Sequence, residues 1–175
     1  MKKVLLGFVL VLLFLFAKSA VACSVVGPLP TPQELVKESD LILNVVASDY
    51  AKLPRYDPRK DNFFMTGPAD STVRFRVAEV IKGKYEPKEI VLEGFLGNSD
   101  DFNDSKTVPY TFVRPSGRHG SCFANTYKEG GSFLLMLKKT KTGGYTQFWV
   151  PLSPTEEQIR PSNDPWLLWV KNAVK

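Results

Sequence analysis

The sequence predicts a mainly β protein, a small barrel of five or six strands with a short N-terminal helix and C-terminal helices. Three observations predict it. Short apolar or alternating runs recur between turn-rich segments, the pattern of strands joined by loops. The 13 prolines and 12 glycines among 175 residues argue against a purely helical or collagen-like chain. With 43% hydrophobic and 23% charged residues, the chain has the apolar content for one modest core and lacks the composition of disorder.

The first segment is read as an export signal. Met1-Lys2-Lys3 is a positive start, Val4 to Ala17 is an almost unbroken apolar run, and Ala20-Val21-Ala22 offers the small side chains that a signal peptidase needs. The run is short of the roughly 20 residues that span a bilayer, so no membrane span is expected after cleavage. Lys and Arg number 23 against 18 acidic residues, but Lys2, Lys3 and Lys18 fall within the first 22 residues, which hold no acid. The remainder is nearly neutral, and nucleic acid is not expected as a partner.

Cleavage after Ala22 makes Cys23 the mature N-terminus, and two chemistries compete for it. Bacterial lipoproteins also begin with Cys after small residues, although Ala20 stands where a large aliphatic residue is usual. Alternatively, Cys23 pairs with Cys122, the only other cysteine, as an even count in an oxidising compartment favours. Closing a loop of about 100 residues contributes on the order of 4 to 5 kcal/mol in the chain-entropy treatment.

Along the mature chain, Thr31-Pro32-Gln33-Glu34 is a capping box with proline at the first helical position, so a short helix through Lys37 follows. Leu41 to Ser48 is a β-branched apolar run suited to a buried strand. Residues 49–70 read as an exposed loop, with Phe63, Phe64 and Met65 as a hydrophobic anchor. Thr72 to Lys82 alternates until its phase flips at Ala78, the mark of a bulge. Lys82-Gly83-Lys84 turns the chain, and Glu89 to Leu96 is a strand bent at Gly94. Residues 98–106 read as a solvated polar loop. Thr107 to Val113 is expected as an edge strand, since Pro109 lacks a ladder donor, and residues 114–125 as a loop. Ser132 to Leu137, apolar without alternation, belongs at the centre of the sheet. Lys138 to Gly144 makes a hairpin loop and Tyr145 to Leu152 another strand. Ser153-Pro154-Thr155-Glu156 reads as a second capping box opening a brief helical turn. Asp164-Pro165 starts a final helix whose Trp166, Trp169, Val170, Ala173 and Val174 share a face that must be buried.

Chemistry-bearing groupings are sparse. His119 and Cys122 lack the second pair of ligands that a zinc site needs. Asp100, Asp101, Asn103 and Asp104 lack the glycine and distal glutamate of a calcium loop. Ser116, Ser121 and Ser132 could each be set against the only histidine, His119, yet no G-x-S-x-G is present. Arg74, Arg76, Lys82, Lys84, Lys138, Lys139 and Lys141 read as a solvated basic surface. Asn103-Asp104-Ser105 is a glycosylation sequon in a eukaryotic host. The residues therefore point to a non-catalytic binding or structural domain with no cofactor and no metal.

The mature N-terminal cysteine, the capped helix leading to SDLILNVVAS, the strand VRFRVAEVIKGKY, the following IVLEG, and GSCFANTYKEGGSFLLML occur in a telling order. Together they resemble the netrin-like and tissue inhibitor of metalloproteinases superfamily, over roughly Cys23 to Lys139. The resemblance implies a five-stranded OB-like Greek-key barrel. On that reading residues 1–22 are signal peptide, 23–152 the OB-fold domain, and 153–175 a C-terminal helical extension packed on the barrel. It implies a Cys23–Cys122 disulfide and a partner-binding ridge at Cys23, Ser24 and Val25. In the inhibitors, the N-terminal cysteine's α-amine and carbonyl bind a protease's catalytic zinc; here Ser24-Val25 follows where they have Cys-x-Cys. The expectation is an exported monomer, periplasmic or extracellular, that binds a protein or cell-envelope component. Metalloprotease inhibition through Cys23, or lipid anchorage at Cys23, stands as the alternative.

Overall fold

The computed structural model describes residues 27–61, 68–118, 122–161 and 163–175. The leader, Cys23, Ser24 and Val25, the Phe63 to Met65 anchor, and His119 and Ser121 lie outside the described residues.

Helix α1 (Pro32–Glu38) forms as its capping box requires. The Thr31 hydroxyl accepts from the Glu34 amide at 3.3 Å, and the Thr31 amide donates to Glu34 Oε2 at 2.7 Å. Its Leu35 and Val36 are buried. Strand β1 (Leu41–Lys52) pairs antiparallel with β2 (Thr72–Lys82), and β2 with β3 (Glu89–Glu93). The register passes from Asn44 opposite Glu79 to Val45 opposite Val77, skipping Ala78, so the bulge expected from the phase flip is present there. Between β1 and β2 lies a four-residue helix, α2 (Pro58–Asp61).

At Gly94 the expected single strand breaks. Gly94 has φ 152°, and a Cβ there would collide with the Tyr127 ring and stand 2.9 Å from the Asn125 carbonyl oxygen. Beyond it β4 (Phe95–Gly97) leaves the main sheet and pairs in parallel with β5 (Thr126–Lys128). Strand β6 (Ser132–Lys139) is central: β1 lies along one side, and β7 (Tyr145–Gln147) and β8 (Glu156–Ile159) share the other. The six-stranded antiparallel sheet thus runs β3-β2-β1-β6-β7, with β8 also on β6.

Both faces of β6 are covered, which is why its sequence does not alternate. On one face Phe133, Leu135 and Leu137 pack with Leu43, Val45, Phe75, Leu92, Leu96 and Tyr127. On the other, Leu134 and Met136 meet Ile42, Leu35 and Val36 of α1, and Trp166 and Val170 of α3 (Pro165–Ala173). Asp164 caps α3 by accepting from the Trp166 and Leu167 amides at 2.9 and 3.2 Å. The molecule is mainly β with few helices, and the ladder does not return from β7 to β3. Those two edges meet through side chains. Gln147 Nε2 donates to the Glu93 carbonyl at 2.6 Å, and the Tyr85 and Tyr145 rings pack edge to face.

Several expectations need correction. Strand β1 extends past Ser48 to Lys52, and α2 replaces part of the expected loop. Residues 107–113 are not a strand; no strand pairs with them, and Val108 and Tyr110 pack instead on the α3 side of the sheet. The strand expected over 145–152 stops at Gln147. The second capping box is not helical: Thr155 leads into β8, whose four residues are all buried. Strand β8 is held there by β6, to which Ser132↔Ile159 and Leu135↔Glu156 belong.

Candidate functional site

Strands β7 and β8 are two halves of one partner of β6. Gln147 faces Leu137 and Glu156 faces Leu135, so only Met136 separates them on β6. Met136 bonds both sides of the gap, its carbonyl accepting from the Phe148 amide at 3.1 Å and its amide donating to the Thr155 carbonyl at 2.8 Å. The intervening residues bulge out of the ladder as an excursion over the loop that carries Arg114 and Cys122. The Val113 amide donates to the Leu152 carbonyl at 2.9 Å, and the Leu152 amide to the Cys122 carbonyl at 2.8 Å.

Beneath this junction lies a cluster of buried charge. Arg114 is fully buried. Its guanidinium donates to the carbonyls of Ala124, Thr126 (2.9 Å) and Glu156 (2.7 Å), to Ser116 Oγ (3.2 Å), and to the Asp101 carboxylate in an ion pair. It also lies over the rings of Tyr127 and Phe133, at 5.5 and 5.3 Å from their centroids. A buried guanidinium requires this many acceptors, because each unmatched donor would carry a desolvation cost. Both of the adjacent glutamates on β8 are buried. Glu157 accepts from the Arg114 amide at 2.9 Å and from Asn103 Nδ2 at 2.8 Å. Glu156 accepts at Oε2 from the Tyr127 hydroxyl, while its buried Oε1 has no hydrogen-bond partner.

Burial governs the protonation of this cluster. Desolvation lifts Glu156 to about 8 and Glu157 to about 7, opposed by Tyr127, Arg114 and Asn103. It also raises Tyr127 well above its ordinary value, with the Glu156 charge adding to the effect. The rim is wetter. Gln158 accepts from the Asp101 amide at 2.6 Å and donates to Asp100 at 2.7 Å, and Asp100 pairs with Lys128 at 2.7 Å.

Glu156 also lines a narrow recess with Val113, Phe123, Ala124, Trp149, Ser153 and Thr155. The Phe123 and Trp149 rings meet edge to face there, 4.9 Å between centroids. The recess has no room for a water molecule. Chemically, the arrangement offers a rigid platform and one buried carboxyl oxygen without a partner.

The acidic loop at 98–106 is therefore not simply solvated. Asp101 and Asn103 turn into the cluster, because Arg114 and Glu157 supply partners that local sequence does not reveal. Asn103 is buried and its Nδ2 donates to both Glu157 and the Phe112 carbonyl, so in the folded protein the sequon nitrogen is not available to a glycan. Ser116 donates to Asp101, and Ser132 opens β6. The basic residues are dispersed into local contacts. Lys82 donates to the Val36 and Lys37 carbonyls at the end of α1, Lys138 to the Glu38 carbonyl, and Arg74 bridges Asp49 and Glu89.

Cys122 is described, with φ 62°. Its proposed partner Cys23, and Ser24 and Val25 beside it, lie outside the described residues, as do His119 and Ser121. Among the described residues, no group of three or more His, Cys, Asp or Glu could hold a metal ion, and no helix is long and apolar enough to cross a membrane. Arg114, Glu156 and Glu157 were not foreseen as a cluster; the sequence offered Glu156 only as the last residue of a capping box, and the adjacent Glu157 went unread. No protein-family model and no curated protein matches the chain.

Proposed function

We propose that this chain is an exported, non-catalytic binding domain on an OB-like scaffold of the netrin and metalloproteinase-inhibitor type. Its mature N-terminus is tethered by a Cys23–Cys122 disulfide, and its partner is a protein or an envelope component met at Cys23, Ser24 and Val25. The observation that carries this reading is the bracing of the Cys122 segment. Leu152 holds the Cys122 carbonyl, Trp149 packs on Phe123, and the buried Arg114 holds the Ala124 carbonyl. A disulfide to so firmly anchored a segment would present the N-terminal residues in one fixed pose, which lowers the ordering cost of binding. No free cysteine is found among the described residues, in keeping with a bonded Cys122. The side-chain approach of β3 and β7 supports a sheet that curls toward closure.

Non-reducing peptide mapping with intact mass of the exported protein tests the tether. The expected result is a Cys23–Cys122 linked peptide and a mature chain beginning at Cys23. A diacylglyceryl mass on Cys23 would replace this reading with membrane anchorage. Affinity capture from envelope extract then tests binding: capture by the oxidised domain should be lost in Cys122→Ser and weakened by substitution at Ser24 or Val25. Inhibition of a zinc protease by the oxidised domain would instead establish the inhibitor.

A further inference from the structure

The Arg114 cluster sets one cation against three carboxyls, Asp101, Glu156 and Glu157. Arg114 is matched by Asp101 in an ion pair, so ionising both glutamates would bury negative charge that nothing balances. Glu157 is equipped for ionisation, since Asn103 Nδ2 and the Arg114 amide donate to it. Glu156 is not: Oε2 meets the Tyr127 hydroxyl, and the buried Oε1 has no hydrogen-bond partner. Among the described residues, the titratable and charged groups that face Glu156 are Tyr127 from β5, Arg114 with Asp101 behind it, and Glu157 beside it on β8; the rest of the recess lining brings no charge. Protonated at Oε2, the acid can itself donate to Tyr127, and Oε1 is left a neutral carbonyl oxygen. Ionised, Oε1 would carry charge into a recess with no room for water.

Of the residues that line the recess, all are buried except Phe123 and Trp149, half-buried rings that meet edge to face. Water can therefore reach Oε1 only if those two rings part. Trp149 belongs to the excursion between Phe148 and Thr155, outside the ladder, whose two ends Met136 holds. We propose that the Glu156 carboxyl is a proton-operated catch: with its proton it keeps the recess dry and the excursion seated on the Cys122 segment, and on losing that proton to solvent it draws water in, parts Phe123 from Trp149 and lifts Leu152 away while β6 keeps its ladder. Lifting breaks the two bonds that Leu152 makes, from the Val113 amide and to the Cys122 carbonyl. Desolvation sets the working range. The closed state keeps the proton up to about 8, whereas a carboxyl wetted by opening returns toward 4.5. Closure is therefore fully favoured below about 4.5, and the open fraction rises by up to about tenfold per pH unit until about 8, where it levels. The catch needs nothing from the N-terminal residues and goes beyond the binding function proposed above, since it makes the pose of the Cys122 segment depend on pH.

Amide exchange of the exported protein between about pH 5 and 9, expressed as protection relative to each amide's intrinsic rate, tests this. Protection of the Val113 and Leu152 amides should fall by up to about tenfold per unit below about pH 8, while the β1–β6 ladder stays protected. Glu156→Gln, neutral at every pH, should flatten the dependence at both amides, and Glu157→Gln should keep it. A dependence that persists in Glu156→Gln, or ladder amides that lose protection in step with Val113 and Leu152, would overturn the catch. Should Glu156→Gln fail to fold, infrared spectra of Glu157→Gln give an independent reading. The carbonyl stretch of one buried protonated carboxyl should be present at about pH 6 and vanish near 8. A band already lost at about pH 6, or one that vanishes while both amides stay protected, would overturn the proposal equally.

Discussion

Replacing Arg114 with methionine removes the hub of the cluster while keeping most of its bulk. The side chain is fully buried, and three backbone carbonyls, those of Ala124, Thr126 and Glu156, lose their donor together with the Asp101 carboxylate. Asp101 is 19% exposed and recovers part of its loss from water. The carbonyls are on the dry side, where an unmatched group costs about 1–3 kcal/mol. Breaking a buried pair by deleting one partner typically costs about 3–5 kcal/mol, and Arg114→Met is expected in that range. Arg114→Lys should recover little, because a single ammonium cannot reach acceptors spread around a planar fork. Urea titration followed by tryptophan fluorescence reads the change as a lowered midpoint at unchanged slope. A loss below about 1 kcal/mol for Arg114→Met would show that the cluster is not the brace described here.

Glu157 gives the folded protein a pH dependence of definite sign. Burial raises its carboxyl to about 7 from an ordinary 4.5, so the folded state holds the proton more tightly than the unfolded chain. Its contribution is fully present below about 4.5 and is lost as pH rises through about 7, at up to about 1.4 kcal/mol per pH unit in between. Urea midpoints across that range should show a shallower slope in Glu157→Gln, and a variant as steep as the natural protein would refute the assignment. Gly94→Ala drives a methyl group into the Tyr127 ring at a positive φ, and a loss of at least about 2 kcal/mol is expected in the same assay. Trp166→Ala removes a fully buried ring stacked between Tyr110 and Trp169, and should cost about 3–5 kcal/mol. Amide exchange should then locate the loss in α3 rather than at the Arg114 cluster.

What was legible in the sequence was what local physics decides. Thr31 and Asp164 announce their helices because a cap needs only its own next turn. The phase flip at Ala78 betrayed the bulge, and unbroken apolarity placed β6 at the centre. Strand β8 stayed hidden because Thr155-Glu156-Glu157-Gln158 has the look of a helix start. Its carboxylates are tolerable in a strand only through Arg114, Asn103 and Tyr127, each about 30 residues or more away in the chain. The same long reach concealed the inward turn of Asp101 and Asn103. The parallel pair β4 and β5, three residues each, is too short to show a period. The Arg114 cluster was unread because its partners come from four separate segments, and no spacing rule joins them.

The divided partner strand has an engineering consequence. Since Met136 grips both ends of the Phe148–Thr155 excursion, the two cut edges already stand where a short connection could rejoin them. The segment is thus a clasp and no free loop: swapping out its Trp149 and Leu152 would let go of the Cys122 stretch below while the ladder at Met136 kept its register.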